Sequence, residues 1–184
     1  MAVAVGSHEV FLSASAAKPL IGRDHGKNLR RDHAGHVNCS PKGLDSFRIL
    51  GPTRVGYLDL TGSGAETIAH LRDNGRIVIM FCALDGPPQI VRLHGRGTVV
   101  RKPSPGWDEL APRFPELAGA RSIIVADITR IADSCGYSIP RYTFVEPRDS
   151  LLKLAAKRGP EGVAAAPQRN NVRSIDGLPA LEPE

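Results

Sequence analysis

Glycine and proline divide this 184-residue chain into short segments, and that division constrains its fold more than any other feature of the sequence. The chain holds 19 glycines and 15 prolines. Most segments between them are short and rich in β-branched residues, which favours strands over helices. We therefore predict a series of strands, at 9–13, 36–40, 47–50, 54–60, 76–82, 89–94, 98–101 and 121–131.

Helical character is confined to three segments, 65–74, 107–113 and 148–157. In the third, Leu151, Leu154 and Ala155 share one face at the i, i+3, i+4 spacing of a helix. Many short strands with so few helices indicate an antiparallel barrel or sandwich rather than a doubly wound sheet. The expected fold class is mainly β (α+β), with a few short peripheral helices.

Composition and charge exclude several classes of protein. Hydrophobic residues make up 41% of the chain and charged residues 23%, which is enough to bury a core. No apolar run approaches the roughly 18 residues that a bilayer helix needs. The net charge of +5 is modest, and the dense basic stretch at 18–31 lacks the interleaved aromatic residues of a base-stacking surface. We expect neither a membrane nor a nucleic acid as partner.

Cysteine usage and the N-terminal segment predict the cellular compartment. Cys39, Cys82 and Cys135 are odd in number and far apart, which disfavours a disulfide scaffold or a structural zinc site. Residues 1–17 carry no lysine or arginine, so they lack the charged start of a secretory signal. The expectation is reduced thiols and a cytoplasmic location.

Metal binding and hydrolysis find no support in the sequence. His25, His33 and His36 cluster in a basic segment that offers no regular structure to fix their spacing, so we expect no metal site. The chain shows no Ser-His-Asp order, no HExxH motif and no persuasive pair of carboxylates. The sequence therefore names no catalytic residue.

A strand, a glycine-containing loop and a helix follow one another over residues 57–71. Ser63 and Glu66 have the spacing of a capping box, which predicts a helix that begins near Gly64 and ends at Asn74, before Gly75. The start of a helix offers unpaired N–H groups and a partial positive charge, and glycines let an anion approach the backbone closely. The segment is typical of a phosphate site.

The same loop allows a structural interpretation without any ligand. It is not a Walker A loop, because no Gly-Lys-Ser/Thr follows the glycines. It is only a partial dinucleotide fingerprint, because Gly62-x-Gly64 is present but Thr67 stands where the third glycine belongs. A capped helix that binds nothing is at least as common as an anion site with this pattern.

Two cations are candidates for binding the same anion. Lys42 lies between Pro41 and Gly43, so a rigid turn projects its charge. Arg92 lies in the otherwise apolar strand at 89–94, and an arginine in a half-buried strand needs a partner. The alternatives are a solvated lysine and a salt bridge from Arg92 to a carboxylate.

Taken in order, these segments resemble the pyridoxamine 5′-phosphate oxidase-like family of FMN-binding split barrels. The resemblance covers residues 36–179. It rests on the strand and turn that end in Lys42 and Gly43, on the run 58–71, on the strand 75–82 and on the strand of Arg92. Two further segments, SCGYSIP at 134–140 and SIDGLP at 174–179, are typical of an uncharacterised subgroup rather than of true pyridoxamine phosphate oxidases.

The resemblance implies an antiparallel split β-barrel that forms a homodimer and binds FMN across the interface between the two copies. By position, Lys42 is similar to the lysine that ends the second strand of the family, and Arg92 to the arginine of a later strand. Thr67 falls near where true oxidases place a phosphate-binding lysine. Thr61, Gly62 and Ser63 are expected to line the ribityl-phosphate side. The implied function is that of an FMN-dependent oxidoreductase acting on an unidentified small molecule.

The implied domain organisation has the FMN-binding barrel at 36–146. A short N-terminal strand region at 1–17 and a basic exposed loop at 18–35 precede the barrel. A C-terminal helix and a proline-rich tail, which we expect to wrap or fray, follow it at 147–184. Asp59 either pairs with Arg92, the favoured interpretation, or contacts a flavin hydroxyl.

The chain also departs from the family pattern. Only seven residues precede His8, where the family usually carries a helix, and the substrate-phosphate arginines near the C-terminus of true oxidases have no clear counterpart. These departures argue against pyridoxamine phosphate as the substrate. They favour an alternative function, a non-enzymatic dimeric ligand-binding or scaffold module with a degenerate flavin site. Deazaflavin or heme in place of FMN is a further alternative.

Overall fold

The structure, a computed structural model, describes residues 11–16 and 35–181. The predicted basic loop at 18–35 therefore lies outside the described residues except at its last position. The described residues form seven strands, three helices and a 3₁₀ turn at Ala111–Arg113. In chain order the strands and helices are β1 (Phe11–Ala16), β2 (Val37–Lys42), β3 (Phe47–Gly51), β4 (Arg54–Leu60), α1 (Glu66–Asn74), β5 (Arg76–Cys82), β6 (Gln89–Arg101), α2 (Pro105–Leu110), β7 (Ala120–Cys135) and α3 (Ser150–Asn170).

The strands form one antiparallel sheet in the order β2-β1-β5-β6-β7-β4-β3. β2 and β3 are neighbours in the chain but lie at opposite edges of this sheet. The sheet curls until the edges approach each other. Phe47 of β3 packs edge-on against Phe81 of β5, with ring centroids 5.1 Å apart. Lys42 at the end of β2 reaches Asp59 on β4.

This curled sheet is an antiparallel split β-barrel, and the expected mainly β (α+β) class is confirmed. The neighbouring strands β4 and β7 are covered on both faces where residues 55–58 pair with residues 123–126. Tyr57 and Ile124 lie in the interior core with α1, while Leu58 and Ile123 point to a second core beneath α2. Alternation of side chains along a strand places consecutive residues on opposite faces, so these paired stretches contain only apolar residues and glycine.

β6 differs from its prediction, which had two strands separated at 95–97. It is one strand with a β-bulge between His94 and Gly95. A Cβ at Gly95 would collide with the carbonyl oxygen of Asp127, and one at Gly97 would lie 2.8 Å from Leu71 Cδ2. The glycines therefore allow close approach of β7 and α1 rather than breaking the strand.

The C-terminal segment agrees with its prediction only in part. We expected the chain to wrap or fray after Gly159, but a second helical segment follows that residue within α3. Gly159 has φ 67° and breaks the helix, and Pro160 restarts it because proline suits the first turn of a helix. Residues 171–181 then wrap onto the barrel, where Ala180 and Leu181 enter the interior core. None of the helices in these ranges has the length and apolar character needed to cross a bilayer.

Candidate functional site

A cleft of about 510 Å³ opens where β2, the end of β4 and the start of α1 meet. Its walls are formed by the segments 38–44, 58–60 and 62–68. Three single residues complete the lining: Ser46, Arg121 of β7 and Leu151 of α3. The lysine turn and the glycine loop, which are about 20 residues apart in the chain, therefore border one space.

α1 begins at Glu66, and within the described chain its N-terminus has no side-chain cap. The predicted capping box between Ser63 and Glu66 is wrong. The Glu66 carboxylate instead accepts a hydrogen bond from the backbone N–H of Ile175, at 3.1 Å. A capping box needs the Glu66 carboxylate as an acceptor, and the segment 174–179 already occupies it. The other end follows the prediction, since the helix ends at Asn74 and Gly75 adopts φ 71°.

The uncapped start of α1 gives the cleft a weakly positive end. Glu66, Thr67 and Ile68 form the first turn of the helix and line the cleft. The first N–H groups of a helix have no intrahelical acceptor, and the helix dipole adds a partial positive charge there. The arrangement suits an anion, provided that the nearby Glu66 carboxylate stays turned toward Ile175.

Lys42 brings a full positive charge to the same cleft. Its Nζ lies 3.4 Å from Asp59 Oδ1 and 5.7 Å from the centroid of the Tyr57 ring. An optimal ammonium–carboxylate hydrogen bond is about 2.7 to 2.9 Å long, so this contact is loose. The ammonium is able to leave Asp59 for a stronger acceptor in the cleft.

Arg121 also lines the cleft, although the sequence alone did not identify it as a site residue. Its Nε donates to Asp59 Oδ2 at 2.7 Å, one Nη donates to the carbonyl oxygen of Gly64 at 2.8 Å, and the other donates to Asn171 Oδ1. The favoured pairing of Asp59 with Arg92 is therefore wrong. The only available signal was that Arg121, like Arg92, begins or interrupts an apolar strand and so needs a partner.

Arg92 lies away from the cleft of its own chain. Its position on β6 is paired with Met80 on one side and Ala132 on the other. One of its guanidinium nitrogens donates to Ser134 Oγ at 3.0 Å, near the far end of β7. The structure therefore does not bring Arg92 together with Lys42 within one chain.

The other candidates from the glycine loop are divided between two spaces. Gly62, Ser63 and Thr67 line the cleft. The Thr67 hydroxyl accepts a hydrogen bond from Asn38 Nδ2 at 2.9 Å, which joins β2 to α1. Thr61 is buried, and it belongs to the lining of a separate pocket beside α3.

The SIDGLP segment at 174–179 closes one side of the cleft region. The Asp176 carboxylate accepts hydrogen bonds from His36 Nδ1 at 2.7 Å and from the His36 backbone N–H at 3.0 Å. The side-chain hydrogen bond from His36 holds the pKa of Asp176 below its usual value. His70 Nε2 lies 3.9 Å from the same carboxylate. The segment is therefore attached to His36, just before β2, and to α1 through Glu66.

Among the described residues, no group of three or more His, Cys, Asp or Glu side chains has the arrangement of a metal site. Of the three clustered histidines, His25 and His33 lie outside those residues, and His36 contacts Asp176. The chemistry that the cleft offers is anion binding by a lysine, backbone amides and glycines.

Comparison with known proteins identifies relatives. No family model matches the chain. A pyridoxamine 5′-phosphate oxidase family protein of Aspergillus flavus, ustO, is 40% identical over 163 residues, covering 79% of this chain and 66% of that protein. The HupZ protein of Group A Streptococcus is similar in structure, with a TM-score of 0.47 and 16% identity, over 73% of this chain and 90% of that one. An FMN-binding protein of Syntrophomonas wolfei gives 0.43 at 14%, over 73% and 78%.

The structural similarities are too low to support any inference about function. The 40% sequence identity to the fungal protein is high enough to identify the family. It confirms the family that the motifs of the cleft indicate. Since the chain spans 66% of the length of its fungal relative, the activity of that whole protein does not transfer with the family. At 40% identity over 163 residues, the chain belongs to the pyridoxamine 5′-phosphate oxidase family.

Proposed function

We propose that the cleft between β2 and α1 binds FMN and that the chain is an FMN-dependent oxidoreductase acting on a small molecule. The observation that carries this proposal is the meeting of Lys42, the uncapped start of α1 and the glycine loop around one cleft. Membership of the pyridoxamine 5′-phosphate oxidase family also supports the binding of FMN. When bound, FMN supplies the hydride chemistry, and the chain has to hold its phosphate and orient its ring.

Lys42 and the first turn of α1 are the groups that would hold the phosphate. The phosphate carries a charge near −2, and each charge-assisted contact contributes on the order of 1.5 to 3 kcal/mol. Arg121 already donates to three acceptors, so its role is to position Asp59 and the loop around Gly64. Gly62 and Ser63 would line the ribityl-phosphate side, and Thr61 and Thr67 would fix the ends of the loop.

The residues present fit an organic phosphate. A Cβ built on Gly64 would meet no protein atom within 4 Å, so the glycine leaves open space in the wall of the cleft. Gly62 has a similar margin, with Leu60 O as the nearest atom at 3.8 Å. Neither glycine needs a positive φ. Room for a ligand, rather than backbone strain, is what these two positions provide.

Arg92 would reach the flavin only from a second copy of the chain, as the family's dimeric arrangement implies. Exposed apolar side chains near the Arg92 end of the barrel support such an interface. Ile131 of β7 is 53% exposed, and Tyr137 and Val145 in the following segment are 82% and 86% exposed. Apolar surface of this kind commonly marks contact with a partner. We therefore propose a homodimer formed through this end of β7.

A non-enzymatic dimeric module with a degenerate flavin site is the second candidate. One observation favours it. Lys42 and Arg121 share the cleft lining with two carboxylates, Asp59 and Glu66, so the formal charges of the cleft cancel without any ligand. In this alternative, the chain keeps the barrel fold but binds no cofactor.

An absorption spectrum of the purified full chain, followed by titration with FMN, tests the proposal. A protein that carries flavin shows the visible absorption bands of flavin. In the titration, binding quenches or shifts the fluorescence of the added FMN. A colourless protein that does not bind added FMN would exclude the flavoprotein and leave the non-enzymatic module. A red protein with a Soret band would assign heme instead. Size-exclusion chromatography with light scattering tests the homodimer separately.

A further inference from the structure

The SIDGLP segment forms a closed turn beside the start of α1. The backbone N–H of Gly177 donates to the carbonyl oxygen of Ser174, and that of Ser174 donates to Leu178, both at 2.9 Å. The Ser174 hydroxyl oxygen accepts two further hydrogen bonds, from the N–H groups of Asp176 at 3.2 Å and Leu178 at 3.1 Å. These hydrogen bonds fix the backbone of the segment and, with it, the N–H group of Ile175.

That N–H group holds the carboxylate of Glu66, the first residue of α1. The Ile175 nitrogen lies 3.2 Å from Oε1 and 3.1 Å from Oε2 of Glu66. The segment itself is anchored by Asp176, whose carboxylate accepts two hydrogen bonds from His36. The direction of the Glu66 side chain therefore depends on a segment more than 100 residues later in the chain.

The two carboxylates in the described lining of the cleft are held differently. Asp59 forms an ion pair with Arg121 at 2.7 Å, so a close cation compensates its charge. Glu66 receives the neutral N–H group of Ile175, and Nε2 of His70 lies 4.0 Å away. The Glu66 charge is therefore less well compensated, although it lies next to the proposed phosphate position. A carboxylate that turns toward that position repels an incoming phosphate.

Ser63 and Glu66 keep the spacing of a capping box, although α1 carries no side-chain cap within the described part of the chain. In a capping box the glutamate carboxylate turns back to an N–H group at the start of the helix. Without the hydrogen bond to Ile175, rotation of the Glu66 side chain brings its carboxylate toward those N–H groups, and the helix dipole favours this position. The carboxylate and a ligand phosphate then compete for one end of α1.

We infer that the SIDGLP segment sets the anion affinity of the cleft, because Ile175 holds the Glu66 carboxylate away from the start of α1. Ile175 is a positioning residue that acts through its backbone N–H group and through Glu66. The inference rests on the proposed function, in which the anion is the phosphate of FMN. While Ile175 holds Glu66, the start of α1 is open to the phosphate. Once this hydrogen bond is lost, Glu66 competes with the phosphate.

Replacing Ile175 by proline tests the inference, because proline has no N–H group. Ile175 is the second residue of the turn that Gly177 and Ser174 close, and proline is favoured at this position of a turn. The side chain is 69% exposed, so its loss costs little packing. Ile175→Ala is the reference variant, since it shortens the side chain but keeps the N–H group. We expect Ile175→Pro to bind FMN about tenfold more weakly than Ile175→Ala, by fluorescence titration.

A neutral side chain at position 66 separates this effect from a loss of structure. Glu66→Gln keeps an oxygen acceptor for Ile175 but carries no charge. In this background, we expect Ile175→Pro and Ile175→Ala to bind FMN with affinities within about twofold of each other, because the two positions act as one unit. Urea denaturation checks that each variant is folded. A difference of the same size in both backgrounds, or none in either, would overturn the inference and leave flavin binding intact.

Inorganic phosphate distinguishes failure of the inference from failure of the proposed function. NMR of the isotopically labelled full chain follows the backbone N–H groups of Glu66, Thr67 and Ile68 as phosphate is added. We expect phosphate to bind about tenfold more weakly to Ile175→Pro than to Ile175→Ala. If phosphate shows this order but FMN does not bind, the flavin assignment fails and the inference stands. If the wild type binds neither phosphate nor FMN, both fail.

Discussion

Arg121 and Asp59 form an ion pair of 2.7 Å in which the side chains are only 10% and 5% exposed. The pair joins the start of β7 to the end of β4, and the same guanidinium holds the carbonyl oxygen of Gly64. It therefore fixes the loop that borders the proposed phosphate position. Asp59 has a second cation in Lys42, but at the longer distance of 3.4 Å.

Removing Arg121 is expected to destabilise the fold. Arg121→Met leaves the buried Asp59 carboxylate with the Lys42 ammonium at 3.4 Å and the Ser122 hydroxyl at 3.3 Å, and breaking a buried pair from one side costs on the order of 3 kcal/mol. Urea denaturation measures this loss. The control is Arg54→Met, which removes an exposed pair with Asp127 and is expected to cost less than about 1 kcal/mol. An equal loss of unfolding free energy in the two variants would show that the buried Asp59–Arg121 pair stabilises the fold no more than an exposed pair does.

Lys42→Ala is expected to weaken FMN binding while leaving the fold intact. Asp59 keeps Arg121 in this variant, so no buried charge is left alone. Loss of one charge-assisted contact corresponds to about 10- to 100-fold in affinity. Fluorescence titration with FMN measures the change, and unfolding by urea checks the fold. Lys153→Ala, at an exposed lysine of α3, is the control. Unchanged FMN affinity in Lys42→Ala would remove Lys42 from the phosphate site.

The strands could be predicted because their signals are local. β4 and β5 begin and end where apolar runs meet glycine, proline or a charged turn, and their bounds agree with prediction. β6 could not be predicted as one strand, because the role of Gly95 depends on the nearness of β7. A glycine that allows close packing and a glycine that breaks a strand look alike in a sequence.

The candidate site was predictable only where its residues lie on one segment or its flank. Lys42 and the glycine loop were identified, and the structure places both at one cleft. Arg121 was missed, and the capping box was wrong, because both depend on contacts made over more than 50 residues of sequence. Arg121 acts on Gly64, and Ile175 takes the Glu66 carboxylate. Such competition between distant groups leaves no periodic or local signal.

Gly64→Val is expected to weaken FMN binding without a loss of stability. The new side chain meets no protein atom near its Cβ and occupies the open space beside the start of α1. We expect FMN affinity to fall at least about tenfold, as for loss of one phosphate contact. The control is Gly51→Val, at the last residue of β3, where the nearest atom to a Cβ is 3.8 Å away and which does not line the cleft. Retained FMN affinity in Gly64→Val would place the phosphate elsewhere.

The attachment of the SIDGLP segment is expected to weaken in acid. Hydrogen bonding from His36 lowers the pKa of Asp176 below the ordinary value of 3.8. A carboxyl group with a depressed pKa stabilises the fold fully above its unfolded pKa, and this contribution is lost as the pH falls through the folded pKa. Asp176→Asn should therefore be less stable than the wild type at pH 7, and the difference should shrink steadily as the pH falls below 3.8. Thermal unfolding across this range measures it, with Asp133→Asn on an exposed part of β7 as the control. A stability difference that stays constant from pH 7 into this acid range would mean that Asp176 holds the segment by packing alone.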